Sequence, residues 1–134
     1  MPEGAAAVCI VPATAFSEYG KTPDPVTKRK PLHWFALDQT QPLFFFAGIW
    51  TRWEGTRGSN RTPRPGEHEL FAFLTTDANE VVKPIHPGAM PAILTSPGEV
   101  ETWLTADWRE AKALQRPLPA NLLEIVEKPA VPAG

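Results

Sequence analysis

The apolar residues of this chain fall into short blocks, each closed by proline, glycine or charge. Most are too short for the 3.6-residue period of a helix. Ala7 to Pro12, "AVCIVP", is β-branched, ends on proline and predicts a buried strand. After Glu18 and Tyr19 the chain becomes polar, proline-rich and basic, the pattern of a loop with a turn near Gly20. "LHWFAL" (Leu32 to Leu37) and "LFFFAGIWTRW" (Leu43 to Trp53) read as strands, and the short turn between them predicts an antiparallel pair. Residues 54–67, "EGTRGSNRTPRPGE", hold no apolar residue beyond proline and predict an exposed loop. "HELFAFLTT" (His68 to Thr76) puts Leu70, Ala72 and Leu74 on one face and Phe71 and Phe73 on the other, which predicts a central strand.

The second half carries the helix signals. Asp77 to Val82 fits one helical turn, with Asp77 as N-cap and Glu80 three residues on. "IHPGAMPAIL" (Ile85 to Leu94) sets a histidine and a glycine among prolines, and "AMPAILT" then reads as extended. In "SPGEVETWL", Ser96 is placed as N-cap, Pro97 as the first helical residue and Glu99 at the third, a capping box. "ADWREAKAL" starts again with Asp107 as cap, and "RPLP" stops it. "LLEIVE" (Leu122 to Glu127) predicts a last strand, and residues 128–134 a loose tail. The expectation is one β-rich α+β domain over residues 1–134, with mostly antiparallel short strands and two short helices near the C-terminus.

Composition narrows this picture. A chain of 134 residues suits one domain. Sixteen prolines are more than twice the usual share of about 5% and favour short strands and turns over helices. Five tryptophans and seven phenylalanines argue against disorder. A formal net charge of −2 excludes a strong whole-chain attraction to nucleic acid or anionic membrane. Positive charge is nevertheless concentrated at Lys28, Arg29 and Lys30, and at Arg52, Arg57, Arg61 and Arg64. The lone Cys9 excludes an intrachain disulfide and a cysteine metal cluster, and fits a reducing, cytosolic compartment. The N-terminus has no basic segment of a signal peptide, and no apolar run reaches the roughly 18 residues of a membrane span.

Two residues stand out for chemistry. His86 lies on a turn stiffened by two prolines, and an imidazole exchanges protons near neutral pH. The alternative is a surface histidine bonded to a turn carbonyl. Glu18, in "FSEYG", stands between aromatics that would partly desolvate it, which suits a carboxyl to proton transfer. The alternative is a solvated carboxylate paired with Lys21. The basic segments could meet phosphates, with Trp50 and Trp53 stacking on unpaired bases. The stronger alternative is that they are solvated loops, with Trp50 in the core. Cys9 reads as structural, with nothing beside it to stabilise a thiolate. His33 and His68 stand alone, with no partner at metal-ligand spacing.

Five ordered blocks together resemble the SOS response-associated peptidase (SRAP) family, the abasic-site processing proteins. They are "CIVPATAFSEY", "AGIW", "FAFLTTDAN", "IHPGAMPAIL" and "WLTADWREAKALQRPLP", and they span about Ala7 to Val126. The resemblance implies a β-rich fold with a groove for single-stranded DNA. It implies that an N-terminal cysteine attacks the aldehyde of an opened abasic sugar, leaving a thiazolidine crosslink in the DNA-damage response, with peptidase-like processing of the N-terminus. Glu18 matches the family's glutamate, His86 its histidine and Tyr19 the aromatic that lies against DNA. No metal and no cofactor are implied, and the partner is single-stranded DNA with abasic sites. A monomer, for the full-length protein, in the cytoplasm and nucleoid-associated when on DNA, is expected.

This chain departs from the family at its start. Pro2 follows Met1 where the family has cysteine, and Cys9 matches an internal strand cysteine. The chain therefore reads as the C-terminal part of the domain, without the nucleophile, and alone it is not expected to form the thiazolidine. The competing reading is a catalytically inactive β-rich module that binds single-stranded DNA or a protein through its basic segments.

Overall fold

Strand β4 (Phe44–Gly58) organises the molecule in the computed structural model, which describes residues 7–129. Along one edge it pairs antiparallel with β1 (Ala7–Ala13), from Ala13↔Phe44 to Ala7↔Trp50. Its other edge is divided. β8 (Ile93–Leu94) pairs with Phe45 and Phe46, and β5 (Pro63–Phe73) takes over from Gly48. At the changeover, Ala47 N–H donates to the Ala92 carbonyl (2.9 Å), Leu74 N–H to the Ala47 carbonyl (2.8 Å) and Ala92 N–H to the Leu74 carbonyl (2.9 Å). Ala47 and Ala92 are fully buried there, so their backbone groups must find partners within the protein, and Leu74 completes the set.

A second sheet orders β2 (Phe16–Tyr19), β3 (Leu32–Ala36) and β9 (Glu124–Val126), all antiparallel. A two-residue ladder joins β6 (Thr75–Thr76) to β7 (Met90–Pro91). Helices α1 (Pro97–Thr105) and α2 (Trp108–Ala111) follow, and α2 tightens into a single 3-10 turn at Lys112–Leu114. A strand-rich α+β fold with antiparallel sheets and two short helices is thus what forms. No helix among the described residues is long and apolar enough to cross a membrane. Residues 130–134 of the expected loose tail lie outside the described residues.

Four local expectations are corrected. The two strands at 32–37 and 43–53 do not pair. Asp38 closes a turn by accepting the Thr40 N–H (2.7 Å) and, through its carbonyl, the Gln41 N–H (3.0 Å), and this corner passes the chain from one sheet to the other. Residues 54–67 are exposed, but they form most of a β-ribbon, with Gly55 opposite Gly66 and Arg57 opposite Arg64. Backbone pairing sustains this ladder without an apolar face, and Pro63 and Pro65 are tolerated because β5 is an edge. That position also explains why "HELFAFLTT" is not central: Phe71 is 66% exposed. Finally, the apolar run after Ala89 is cut in two at Ala92, because its halves bond different partners.

Two core clusters hold the layers. In the first, Phe16 stacks on Phe35 (ring centroids 5.2 Å) and meets Phe46 edge-on (6.1 Å), which packs the second sheet on the first. In the second, α1 lays Trp103 against Ala47, Ala92, Leu94 and Ala111. Its indole N–H donates to the carbonyls of Cys9 (2.9 Å) and Gly48 (3.1 Å), one on β1 and one on β4. The two strands are close here: a Cβ at Gly48 would lie 2.9 Å from Cys9 Sγ and 3.2 Å from the Ala72 carbonyl oxygen. Cys9 is half-buried, and burial pushes its thiol pKa up, away from reactive thiolate.

The capping box forms on one side. Ser96 Oγ accepts the Glu99 N–H (3.1 Å), while Glu99 Oε1 reaches past the cap to Thr95, accepting its N–H (2.9 Å) and O–H (3.1 Å). Glu99 Oε2 also pairs with Arg116 Nη2 (2.7 Å), and Arg116 Nη1 donates to the Ile93 carbonyl (2.7 Å). Burial acts to raise the Glu99 pKa, but the Thr95 hydrogen bonds and the Arg116 charge outweigh it and hold the carboxyl below its usual value. A depressed folded value adds stability that is full above the ordinary glutamate range, about pH 4.3, and lost as pH falls through the folded value. Urea unfolding at stepped pH should therefore show a decline below about pH 4.3 that Glu99→Gln makes shallower. Trp103→Ala should cost about 3–5 kcal/mol by the same method. Trp103→Phe should cost about 1–2 kcal/mol, the part owed to the two carbonyls left without a donor.

Candidate active site

Glu18 is placed by the core. Phe16 and Glu18 share one face of β2, since strand side chains alternate. Phe16 is buried in the aromatic cluster, so two residues on Glu18 emerges at its rim, with its side chain 24% exposed. His86 arrives at the same rim by a different route. Asn79 is 4% exposed. Its Oδ1 accepts the N–H groups of Val81 and Val82 (3.0 Å each), and its Nδ2 donates to the Leu118 carbonyl (2.8 Å). This organises a run of turns in which the N–H groups of Ile85 and His86 both donate to the Val82 carbonyl (2.9 and 2.8 Å). The cap expected at Asp77 is therefore provided by Asn79, and the segment stays a turn. Val82 and Ile85 pack on the aromatic cluster and hold the turn against it.

The result is that His86 Nδ1 stands 3.6 Å from Glu18 Oε2. That distance exceeds a hydrogen bond and lies within ion-pair reach. The other ring edge lies near Gly88, where a Cβ would stand 3.8 Å from His86 Nε2, and the side chain is 42% exposed. The pair thus offers a carboxylate and an imidazole side by side at the surface, each able to take up and return a proton.

A third group escaped sequence reasoning. The β2–β3 ladder sets His33 opposite Glu18, on the same face. Its ring lies over Gly20, where a Cβ would stand 3.1 Å from Nε2, and the Gly20 N–H donates to the Pro31 carbonyl (2.8 Å). The signal that could have found it is the pairing register of "FSEYG" with "PLHWF". Tyr19 follows Glu18 at the end of β2; alternation points it to the opposite face, and it is 62% exposed. Trp50, expected in the core, is half-buried in a shallow depression with Val11, Leu70 and Phe71.

The basic segments lie in two places. Lys28 to Lys30 sit on a loop ordered by Asp24, whose Oδ1 accepts the N–H groups of Val26 (2.7 Å) and Thr27 (2.9 Å). The Thr27 and Val26 hydrogen bonds hold the Asp24 carboxyl below its ordinary pKa. Arg52, Arg57, Arg61 and Arg64 belong to the β4–β5 ribbon and its tip. Among the described residues no group of three or more His, Cys, Asp or Glu side chains is arranged to hold a metal ion.

These features define a β-rich α+β protein with a carboxylate and an imidazole brought together at the rim of its aromatic core. The chain belongs to the SOS response associated peptidase (SRAP) family, whose model matches residues 5–129. A comparison with curated proteins finds no match. Asn79→Ala should lower stability by about 2–3 kcal/mol in urea unfolding, because it strips partners from buried backbone groups.

Proposed function

We propose that this chain carries the proton-transfer half of an abasic-site processing centre acting on single-stranded DNA. The observation that carries the reading is the approach of His86 to Glu18 at an open rim, in a chain that belongs to the SRAP family. An abasic sugar must open its ring to expose an aldehyde. An amine then adds to the carbon, water leaves to give an imine, and a thiol on the same nucleophile closes the thiazolidine. Every one of these steps moves a proton on or off oxygen or nitrogen, which is work for a carboxyl and an imidazole acting in turn. Tyr19, exposed on the opposite face at the end of the same strand, would supply an aromatic surface for a base further along the DNA. A peptidase-like hydrolysis at a chain terminus would draw on the same pair.

A thiazolidine needs a thiol and a free α-amine on one residue. Cys9 has its nitrogen in a peptide bond in the middle of a half-buried region of β1, so the nucleophile in this reading is another aminothiol. The test uses free cysteine as that aminothiol, with a single-stranded oligonucleotide holding one abasic site. The protein should accelerate thiazolidine formation, read by mass spectrometry. Glu18→Gln and His86→Ala should each remove about a hundredfold of the acceleration. The protein without added cysteine should leave no covalent band on a denaturing gel. An unchanged rate in both variants, or no acceleration at all, would sink the proposal.

A further inference from the structure

The outer part of the β4–β5 ribbon takes no part in the Glu18–His86 site, and its two faces differ in charge. Ladder alternation puts Arg52, Glu54, Glu67 and Glu69 on one face. There Arg52 lies 3.7 Å from Glu67 and 3.9 Å from Glu69, so one guanidinium meets two of the three carboxylates on that face. The opposite face carries Trp53, His68, Arg57 and Arg64. Arg57 and Arg64 are direct cross-strand partners, both exposed, and among the described residues no carboxylate lies within ion-pair distance of either. Like charges directly opposite weaken a ladder. The arrangement becomes favourable when an anion lies across both guanidinium groups.

An aromatic platform stands beside this pair. The Trp53 indole lies flat over Gly55: a Cβ there would fall 2.4 Å from Trp53 Cζ2. Its other neighbour is His68, with centroids 6.0 Å apart and planes at 31°. His68 Nε2 lies 2.7 Å from the Arg64 carbonyl, which makes that nitrogen the N–H donor and fixes the imidazole. Gly66 lies between the two at φ +125°, a backbone conformation that favours glycine. Trp53 remains 42% exposed.

We propose that this face of the ribbon is a binding site for single-stranded DNA, with a phosphate across Arg57 and Arg64 and an unpaired base stacked on Trp53. A flat ring beside two unpaired cations fits an alternating base-and-phosphate polymer, and the acidic opposite face directs the strand to one side. The site rests on the single-stranded-DNA reading above for its ligand class. It is independent of Glu18, His86 and any covalent step.

The test is fluorescence anisotropy of the whole chain with an unmodified single-stranded oligonucleotide across a salt series. An oligonucleotide without an abasic site separates this binding from the proposed chemistry, so either can fail alone. The double variant Arg57→Gln/Arg64→Gln should weaken binding at least tenfold and reduce the slope of log K against log salt by about 1.4, for two lost contacts at about 0.7 each. Arg57→Lys/Arg64→Lys should keep most of that slope. Trp53→Ala should cost about tenfold, within the range of one base stack. Arg52→Gln, on the acidic face, should change affinity less than twofold. Circular dichroism of each variant checks that the ribbon persists. Unchanged affinity and slope in the arginine-to-glutamine variant would overturn the site. So would an equal loss in Arg52→Gln, or equally tight binding of a polyglutamate of matched charge that Trp53→Ala leaves intact.

Discussion

Phe16 is the contact on which the rest of this structure depends. It stacks on Phe35 within its own sheet and meets Phe46 edge-on in the other, although the two sheets share no backbone ladder. A three-stranded and a four-stranded sheet each expose an apolar face that is marginal in water, and burying both faces against each other is what stabilises either. Phe44, Val82, Met90 and Leu118 complete the same cluster. The cluster also sets the geometry at its rim. Glu18 follows Phe16 by two residues on the same strand face, and His86 follows Ile85, which packs on the same core. The carboxylate and the imidazole therefore meet because two unrelated segments are pinned to one set of rings.

Backbone satisfaction governs the other half of the molecule. At Ala47 the partner of β4 changes from β8 to β5, and three carbonyl–amide bonds among Ala47, Leu74 and Ala92 close the gap. Trp103 extends the logic by giving one indole N–H to carbonyls on two strands, which ties α1 to the sheet by polarity as well as by volume. Asn79 does the same for the turn before His86. Each is a buried polar group whose partners are all protein, so each fixes position as well as contributing stability.

Much of this was legible in local pattern. β-branched and aromatic runs marked the strands, and Ser96, Pro97 and Glu99 marked the start of α1, because capping and alternation are properties of a few consecutive residues. The 54–67 segment misled because its ladder buries no apolar face: with glycine, proline and arginine alternating, backbone pairing leaves no hydrophobic period to read. Phe71 and Phe73 misled in the opposite sense, since two apolar faces suggested a central strand where the structure has an edge. Pairing partners were misjudged for the same reason, because a short connection is compatible with a hairpin or with a corner between sheets.

The sequence by itself determined the strand-rich character, the two helix starts, the candidate status of Glu18, Tyr19 and His86, and the family to which the chain belongs. Those rest on residue type and spacing, which need no distant partner. Only the tertiary structure decided that Glu18 and His86 stand 3.6 Å apart, that His33 faces Glu18, and that Arg57 and Arg64 lie opposite each other beside Trp53. Those distances follow from sheet register and from the burial of a shared aromatic core, and both are set by contacts between segments far apart in the chain.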